Sequence, residues 1–444
     1  MKKLKLNSKS ILAVLFCAVL VFFLGTIAER IFRYSFLGQT PDTVASETAE
    51  GDSDQKDEDN PYLRQFPFKN GDEPAVSAPE KTESKVENTE NNIFAFIRSK
   101  MDYLKINTSF YTEKLLFARM NFLDLNAKYN KAIGMKMFED ANSSVITLLD
   151  GNLAMRPYKS EISGSAENVA EFAKKLKTNG ADFLYVQAPS KVDPQNNLLP
   201  SGLEDYDNQA ADEMLAALRK NDVDCLDIRQ LLHEQNISYT DAFFRTDHHW
   251  TIDTAFWASG EIVKHIEKNT DIQIDSSKFN IDDFTRKVYK GISLGSLGKI
   301  VTASYAEPED FMTIIPDFET DFRYHDFYDG SERTGSFEKA LMNTDILKEK
   351  DLYNVSTYSA YMYTWSDLVS VENKLSQNDT SVLIIGDSFR NSVVPFLSLG
   401  FKNVYSMATT FSGSINTFIE EYKPDMVIIL VYPPVISSFS NGIK

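Results

Sequence analysis

Histidine, cysteine and basic charge are all scarce in this chain. The two cysteines, Cys17 and Cys225, lie in an apolar N-terminal run and at the end of an expected strand, so no disulfide is expected. Lys and Arg total 46 against 64 Asp and Glu, a formal charge of -18. Such a surface repels phosphates and excludes nonspecific nucleic-acid binding. Five histidines leave few candidates for a general base or a nitrogen ligand. No internal repeat occurs. An apolar fraction of 43% over 444 residues is nevertheless ample for one large or two smaller cores.

One apolar run is long. Lys2, Lys3, Lys5 and Lys9 precede an uncharged stretch from Ile11 to Ala28, at the short end of the roughly 17–25 residues that span hydrocarbon. The basic flank predicts a cytoplasmic N-terminus and an extracytoplasmic remainder. An uncleaved anchor in residues 1–30 is favoured over a signal peptide cut after Ala28, because the run exceeds a usual signal core. Phe16 before Cys17 is too large for a lipoprotein-type cleavage site. Residues 31–92 read as a solvated, disordered tether. Within residues 41–90, fourteen Asp and Glu face five Lys and Arg, which is half of the net excess.

A folded domain is expected over residues 93–444. Leu115, Leu116, Met120, Leu123 and Leu125 recur at mixed helical spacing. A strand, an Asp150-Gly151 turn and a second strand through ADFLYVQ follow. Helices and strands then alternate through DNQAADEMLAALRKN, VDCLD, IRQLLHEQN, SVLIIG, NVYSM and DMVIILVY. That rhythm predicts an α/β fold, a mostly parallel sheet covered on both faces, with reactive groups at the carboxyl ends of the strands. Residues 270–375 break the rhythm and are expected to form loops and short strands capping the sheet. GISLGSLGK there lacks the Gly and the Ser/Thr that a phosphate loop needs at Ser293 and Ile300.

Two stretches carry chemistry. In SVLIIGDSFRNSVVPFL an apolar strand runs into Gly386-Asp387-Ser388 and then a helix. A serine on such a turn is presented beside backbone N–H groups able to hold an oxyanion, though Asp and Ser are also ordinary helix caps. In TDHHWT, Asp247 and His249 supply the base and carboxylate that a nucleophilic serine requires. If the segment is extended, residues two apart share a face, which pairs Asp247 with His249 and points His248 elsewhere. Asp247, His248 and His249 could also ligate a metal. Adjacent side chains diverge, however, and no HExxH-type pair completes such a site, so neither a metal nor another cofactor is expected.

TDHHWT followed late in the chain by GDSF resembles the defining motifs of the DHHW proteins, which are similar to the SGNH-like domains of the alginate O-acetylation proteins AlgJ and AlgX. The resemblance covers about residues 110–444. It implies a three-layer, SGNH-hydrolase-like (flavodoxin-like) sheet and a triad of Asp247, His249 and Ser388. It also implies O-acetyl transfer to a cell-surface glycopolymer, with acetyl groups delivered by a multi-spanning membrane O-acyltransferase. The chain departs from the pattern in having no GxND-type block for an oxyanion-hole asparagine and no appended carbohydrate-binding module. The Ser388 N–H is therefore the main expected oxyanion donor. Asn391, Lys191, Arg245, His248 and Trp250 are further oxyanion or substrate candidates. The tyrosines within 357–363 and Trp365 could stack on sugar rings or pack in the core. The rival readings are a non-catalytic cell-envelope assembly protein and a metal-dependent phosphoesterase.

Overall fold

The computed structural model describes residues 119–139, 144–363 and 366–439. The expected anchor and tether, the start of the expected first helix and Trp365 lie outside the described residues. The chain divides into two units, Met1–Phe122 and Leu123–Lys444, and the fold is that of the second. Among the described residues no helix is long and apolar enough to cross a membrane.

The elements follow one another in the predicted alternation over much of the chain. Helix α1 (Arg119–Ala132) leads into a small antiparallel sheet of β1 (Met137–Glu139), β2 (Ser144–Thr147) and β3 (Leu153–Met155). Then come α2 (Ser163–Thr178), β4 (Asp182–Gln187), α3 (Tyr206–Lys220), β5 (Cys225–Asp227), α4 (Ile228–Glu234), α5 (Tyr239–Ala242) and α6 (Ile252–Asn269). A hairpin, β6 (Phe284–Ser293) with β7 (Glu309–Pro316), encloses α7 (Ser296–Val301). After it come β8 (Phe322–Asp326), β9 (Glu332–Gly335), α8 (Phe337–Leu341) and β10 (Leu368–Asn373). The chain closes with β11 (Ser381–Gly386), α9 (Arg390–Leu397), β12 (Asn403–Ala408), α10 (Ile415–Tyr422), β13 (Met426–Val431) and α11 (Ile436–Phe439).

Eight strands form the central sheet in the order β5-β4-β13-β11-β12-β10-β8-β9. The first five are parallel and the last three antiparallel. Along β11, Val382 and Ile384 enter one apolar core while Leu383 and Ile385 enter another. The same alternation in β13 sends Met426, Ile428 and Leu430 one way and Val427, Ile429 and Val431 the other. Strands buried on both faces are why these segments read as continuous apolar runs. Helices α6 and α9 pack into the first core, and α2, α3 and α10 into the second, which makes three layers.

The expectation for residues 270–375 needs correction. This stretch does not merely cap the sheet: β8, β9 and β10 extend it by three antiparallel strands. An antiparallel wing can leave side chains in water, so its strands lack the apolar runs that mark the parallel half. In β9 no residue is buried, and β8 and β10 mix buried with half-buried or exposed positions.

Candidate active site

The Gly386-Asp387-Ser388 turn leaves β11 at its carboxyl end, where a parallel sheet opens a crevice. A Cβ at Gly386 would collide with the Leu430 carbonyl oxygen of β13, so only glycine allows the strands this approach. The buried Asp387 carboxylate accepts from the Phe389 N–H (2.9 Å) and the Tyr432 N–H (2.8 Å), and burial pushes its pKa up to about 6. The Arg390 guanidinium, also buried, donates to the carbonyls of Gly386, Asp387 and Ser366 and to Ser406 Oγ. Ser388 is thus mounted on a turn with little freedom, and its hydroxyl does not cap α9, which has no side-chain cap. Instead Ser388 Oγ lies 2.6 Å from His249 Nε2.

His249 Nδ1 in turn lies 2.7 Å from Asp247 Oδ1. With Nδ1–H donating to the carboxylate, Nε2 presents the lone pair that accepts the Ser388 O–H. The other carboxylate oxygen, Oδ2, accepts the Ser296 N–H at 2.8 Å. Burial pushes the Asp247 carboxyl up, but the charge and hydrogen bond of His249, with His248 and the Ser296 N–H, outweigh it and hold the group well below the usual carboxylate range. An ionised, oriented carboxylate is what stabilises an imidazolium.

The route by which Asp247 and His249 meet differs from the extended segment expected. Residues 245–249 are a run of bends, and the His249 N–H donates to Asp247 Oδ1 (3.1 Å) in a turn closed by the aspartate side chain. His248 therefore does not point away. Its ring lies against that of His249, centroids 3.8 Å apart, and its Nδ1 sits 3.0 Å from Ser296 Oγ. Burial, helped by the adjacent His249, pulls the His248 pKa down to about 3. One ligand atom each from Asp247, His248 and His249 lies within 4.8 Å of the others. A cation bound through His249 Nδ1 would have to break the 2.7 Å bond to Asp247.

The loop is braced from several directions. Lys191, buried, donates to the carbonyls of Phe244 (2.6 Å), Arg245 (3.1 Å) and Asp247 (2.9 Å). Glu309 accepts from the N–H groups of Arg245 and Thr246, each at 2.7 Å. Gly295 N–H donates to Thr246 Oγ1 and Gly298 N–H to the Thr246 carbonyl. A Cβ at Gly295 would overlap the backbone and Cβ of Asp247, and one at Gly298 would strike Leu294 and Thr246. The Tyr358 ring stacks on His249 at 3.9 Å and 13°, and its hydroxyl donates to the Ser388 carbonyl at 3.3 Å and bonds Ser392 Oγ at 2.8 Å. Trp250 Nε1 donates to the same Ser392 Oγ at 2.9 Å.

Several candidates from the sequence have other work. Lys191 spends its protons on loop carbonyls, and burial lowers its pKa to about 8. Trp250 is fully buried and cannot touch a substrate in this arrangement. The Arg245 side chain reaches the Glu307 carbonyl, beside the hairpin strand β7. Asn391 is half-buried on α9, its N–H on the Ser388 carbonyl at 3.1 Å. The Ser388 N–H carries no hydrogen bond among the described residues. Of the tyrosines, Tyr358 and Tyr361 are core residues, and Tyr363 lies under the Arg333 guanidinium at 3.7 Å. Sequence reasoning missed Gly295, Ser296, Gly298, Glu309 and the part played by Tyr358. The one available signal was the pair of glycines three apart in GISLGSLGK, which permits a close backbone approach.

Residues 150–321 match the profile of a family described as SGNH hydrolase-like domain, acetyltransferase AlgX. The resemblance to AlgX-type SGNH-like domains holds. The matched segment spans the Asp247–His249 loop with its braces Lys191, Gly295 and Glu309, and it stops before Ser388. Three solved structures share the fold. Bacillus cereus PatB1 with a sulfonyl adduct aligns at TM-score 0.56 and 21% identity over 70% of this chain and 99% of that one. A second structure of the same protein gives 0.54 and 21% over 69% and 99%. A DHHW family protein from Eubacterium siraeum gives 0.53 and 16% over 69% and 96%. No curated protein matches the chain.

Proposed function

We propose that this protein is an SGNH-like O-acetyltransferase or esterase that acts on a cell-surface glycopolymer through an acyl-Ser388 intermediate. The observation that carries the reading is the continuous contact of Ser388 Oγ, His249 and Asp247 at 2.6 and 2.7 Å. Ser388 Oγ attacks the acyl carbonyl carbon while its proton passes to His249 Nε2. The Ser388 N–H holds the resulting oxyanion. Collapse returns that proton to the departing alkoxide and leaves the ester on Ser388. An acceptor hydroxyl, its proton taken by His249 Nε2, then attacks the ester, and His249 returns that proton to the departing Ser388 Oγ. A sugar hydroxyl gives transfer and water gives hydrolysis. An N-terminal anchor through Ile11–Ala28 would place this chemistry outside the cytoplasm, beside a membrane O-acyltransferase that supplies acetyl groups.

The test uses a sulfonyl fluoride, since PatB1 is known with a sulfonyl adduct. Mass spectrometry should find one adduct, on Ser388, and none in Ser388→Ala. Turnover of p-nitrophenyl acetate should fall by several powers of ten in Ser388→Ala, Ser388→Gly and His249→Ala, and less in His248→Ala. A well-folded Ser388→Gly protein that still turned over the ester would overturn the acyl-serine step and favour the non-catalytic assembly reading.

A further inference from the structure

Helix α1 carries apolar side chains on two faces, and only one of them is covered among the described residues. Ala127 and Asn130 are buried. The helix rests on the segment after α7, where Ser304 Oγ donates to Asp124 at 3.0 Å and Glu307 pairs with Lys131 at 3.6 Å. At about 100° per residue, Leu125 and Tyr129 sit roughly opposite the buried pair. They are 64% and 61% exposed, and Ile133, whose N–H still bonds the Tyr129 carbonyl, is 53% exposed.

Five of the eleven large apolar side chains exposed among the described residues, these three with Met135 and Met137, fall in residues 125–137. Single exposed apolar residues need no explanation, but a run of them on one short stretch marks a contact surface. Exposed Tyr158 continues it, because the Arg156 guanidinium over its ring also reaches Met137 Sδ at 3.9 Å.

The charge of the stretch decides what covers it. Residues 125–137 hold Lys128, Lys131 and Lys136 and no acidic residue, in a chain of formal charge -18. Lys128 and Lys136 are exposed and pair with no carboxylate among the described residues. A second copy seated here on a twofold axis would set lysines against lysines. An anionic surface suits them instead. Apolar side chains flanked by lysines, with a tyrosine whose hydroxyl stays among headgroups, form the pattern of a helix lying in the interface of an anionic bilayer.

We propose that residues 125–137 dock the folded domain on an anionic lipid bilayer, with Leu125, Tyr129 and Ile133 entering the acyl boundary and Lys128 and Lys136 meeting lipid phosphates. Docking is independent of acyl transfer at Ser388 but takes the N-terminal anchor of the reading above as given. The anchor raises the concentration of this face at the surface, so a weak contact suffices to hold the domain there.

The test reconstitutes the full-length chain in vesicles of brominated phosphatidylcholine with about 30% phosphatidylglycerol. Two tryptophan reporters are compared, Tyr129→Trp and Tyr328→Trp, each after subtraction of the parent's fluorescence. Tyr328 is 88% exposed in the turn between β8 and β9 and hangs on the same tether, so it reads chance collision with lipid. Bromine should quench the Tyr129 reporter about twofold or more above the Tyr328 reporter, and Lys128→Glu/Lys136→Glu should remove at least about half of that excess. Leu125→Ser/Ile133→Ser should remove it as well, with an unfolding midpoint within about 3 °C of the parent's, since both side chains are exposed. Excess quenching that survives the lysine changes in full would overturn the anionic-lipid assignment. Equal quenching of the two reporters in chains that float with the vesicles would overturn the docking face, whether a second copy or another part of the chain covers it, and leave the anchor standing. Chains that do not float would overturn both. Sulfonyl labelling of Ser388 in the same samples reads the acyl-serine step separately.

Discussion

The two loops that meet at the candidate active site are held in opposite ways. The Gly386-Asp387-Ser388 turn is fixed mainly by its own neighbours: β11 behind it, α9 ahead, and the Arg390 guanidinium folded back on the Gly386 and Asp387 carbonyls. The Thr246–Trp250 loop is fixed mainly by residues distant in sequence: Lys191, Gly295, Ser296, Gly298 and Glu309. Presentation of the serine is a local property and presentation of the histidine a tertiary one. Changes far away in the sequence can therefore act on the His249 loop through contacts that the Ser388 turn does not make.

Gly295→Ala should be the most harmful of the remote changes, because the added Cβ overlaps Asp247 itself. Overpacking of this kind costs about 1–3 kcal/mol of stability, and a displacement of about 1 Å at the carboxylate should lower ester turnover about 100-fold. Thermal unfolding and kinetics on the same sample separate the two effects. Wild-type turnover in a Gly295→Ala protein would show that the loop does not need this close approach.

Lys191→Met comes next. It keeps much of the side chain's bulk but removes the donor to three carbonyls, and each buried group left without a partner costs about 1–3 kcal/mol. Turnover should fall about tenfold if the loop shifts by part of a hydrogen-bond length. The sulfonyl adduct on Ser388 should still form, more slowly, since the serine turn is held without Lys191. Loss of stability with unchanged turnover would separate Lys191 from the positioning of Asp247.

The smallest effect on turnover belongs to His248, whose main readout is stability against pH. Its folded pKa of about 3 lies below its ordinary 6.5, so between those values the unfolded chain binds a proton that the folded chain refuses. The stability linked to this group is complete above pH 6.5 and is lost as pH falls toward 3. Asp247, also held low, acts in the same direction below its ordinary 3.8. The unfolding midpoint of the wild type should drop across that window, and His248→Gln should flatten the drop. An unchanged slope in the variant would remove His248 from the account of acid stability.

The legibility of the sequence follows the same division. Strands β4, β11 and β13 could be read because burial on both faces leaves apolar runs, and the Gly-Asp-Ser turn could be placed because strand, turn and helix are contiguous. The antiparallel wing could not. The pattern of β8, FRYHD, alternates buried and part-exposed positions over five residues, too short and too polar to separate from a loop. Asp247 and His249 are joined by the bends at residues 245–249 and not by the extended strand that the spacing of two suggests, because the aspartate side chain closes the turn. GISLGSLGK lacks the residues of a phosphate loop, and its glycines serve a neighbouring chain segment, which no local pattern reveals.

The chain of contacts from Trp250 through Ser392 to Tyr358 gives the site a mechanical property. Tyr358 lies flat on the His249 ring and bonds the Ser388 backbone, and Trp250, next to His249 in sequence, is tied to the same Ser392 hydroxyl. Tyr358 thus contacts both partners of the 2.6 Å pair of Ser388 Oγ and His249 Nε2, and one buried hydroxyl, Ser392 Oγ, ties it to the residue that follows His249. A change at Ser392 therefore reaches both sides of that pair at once, without touching either atom of it.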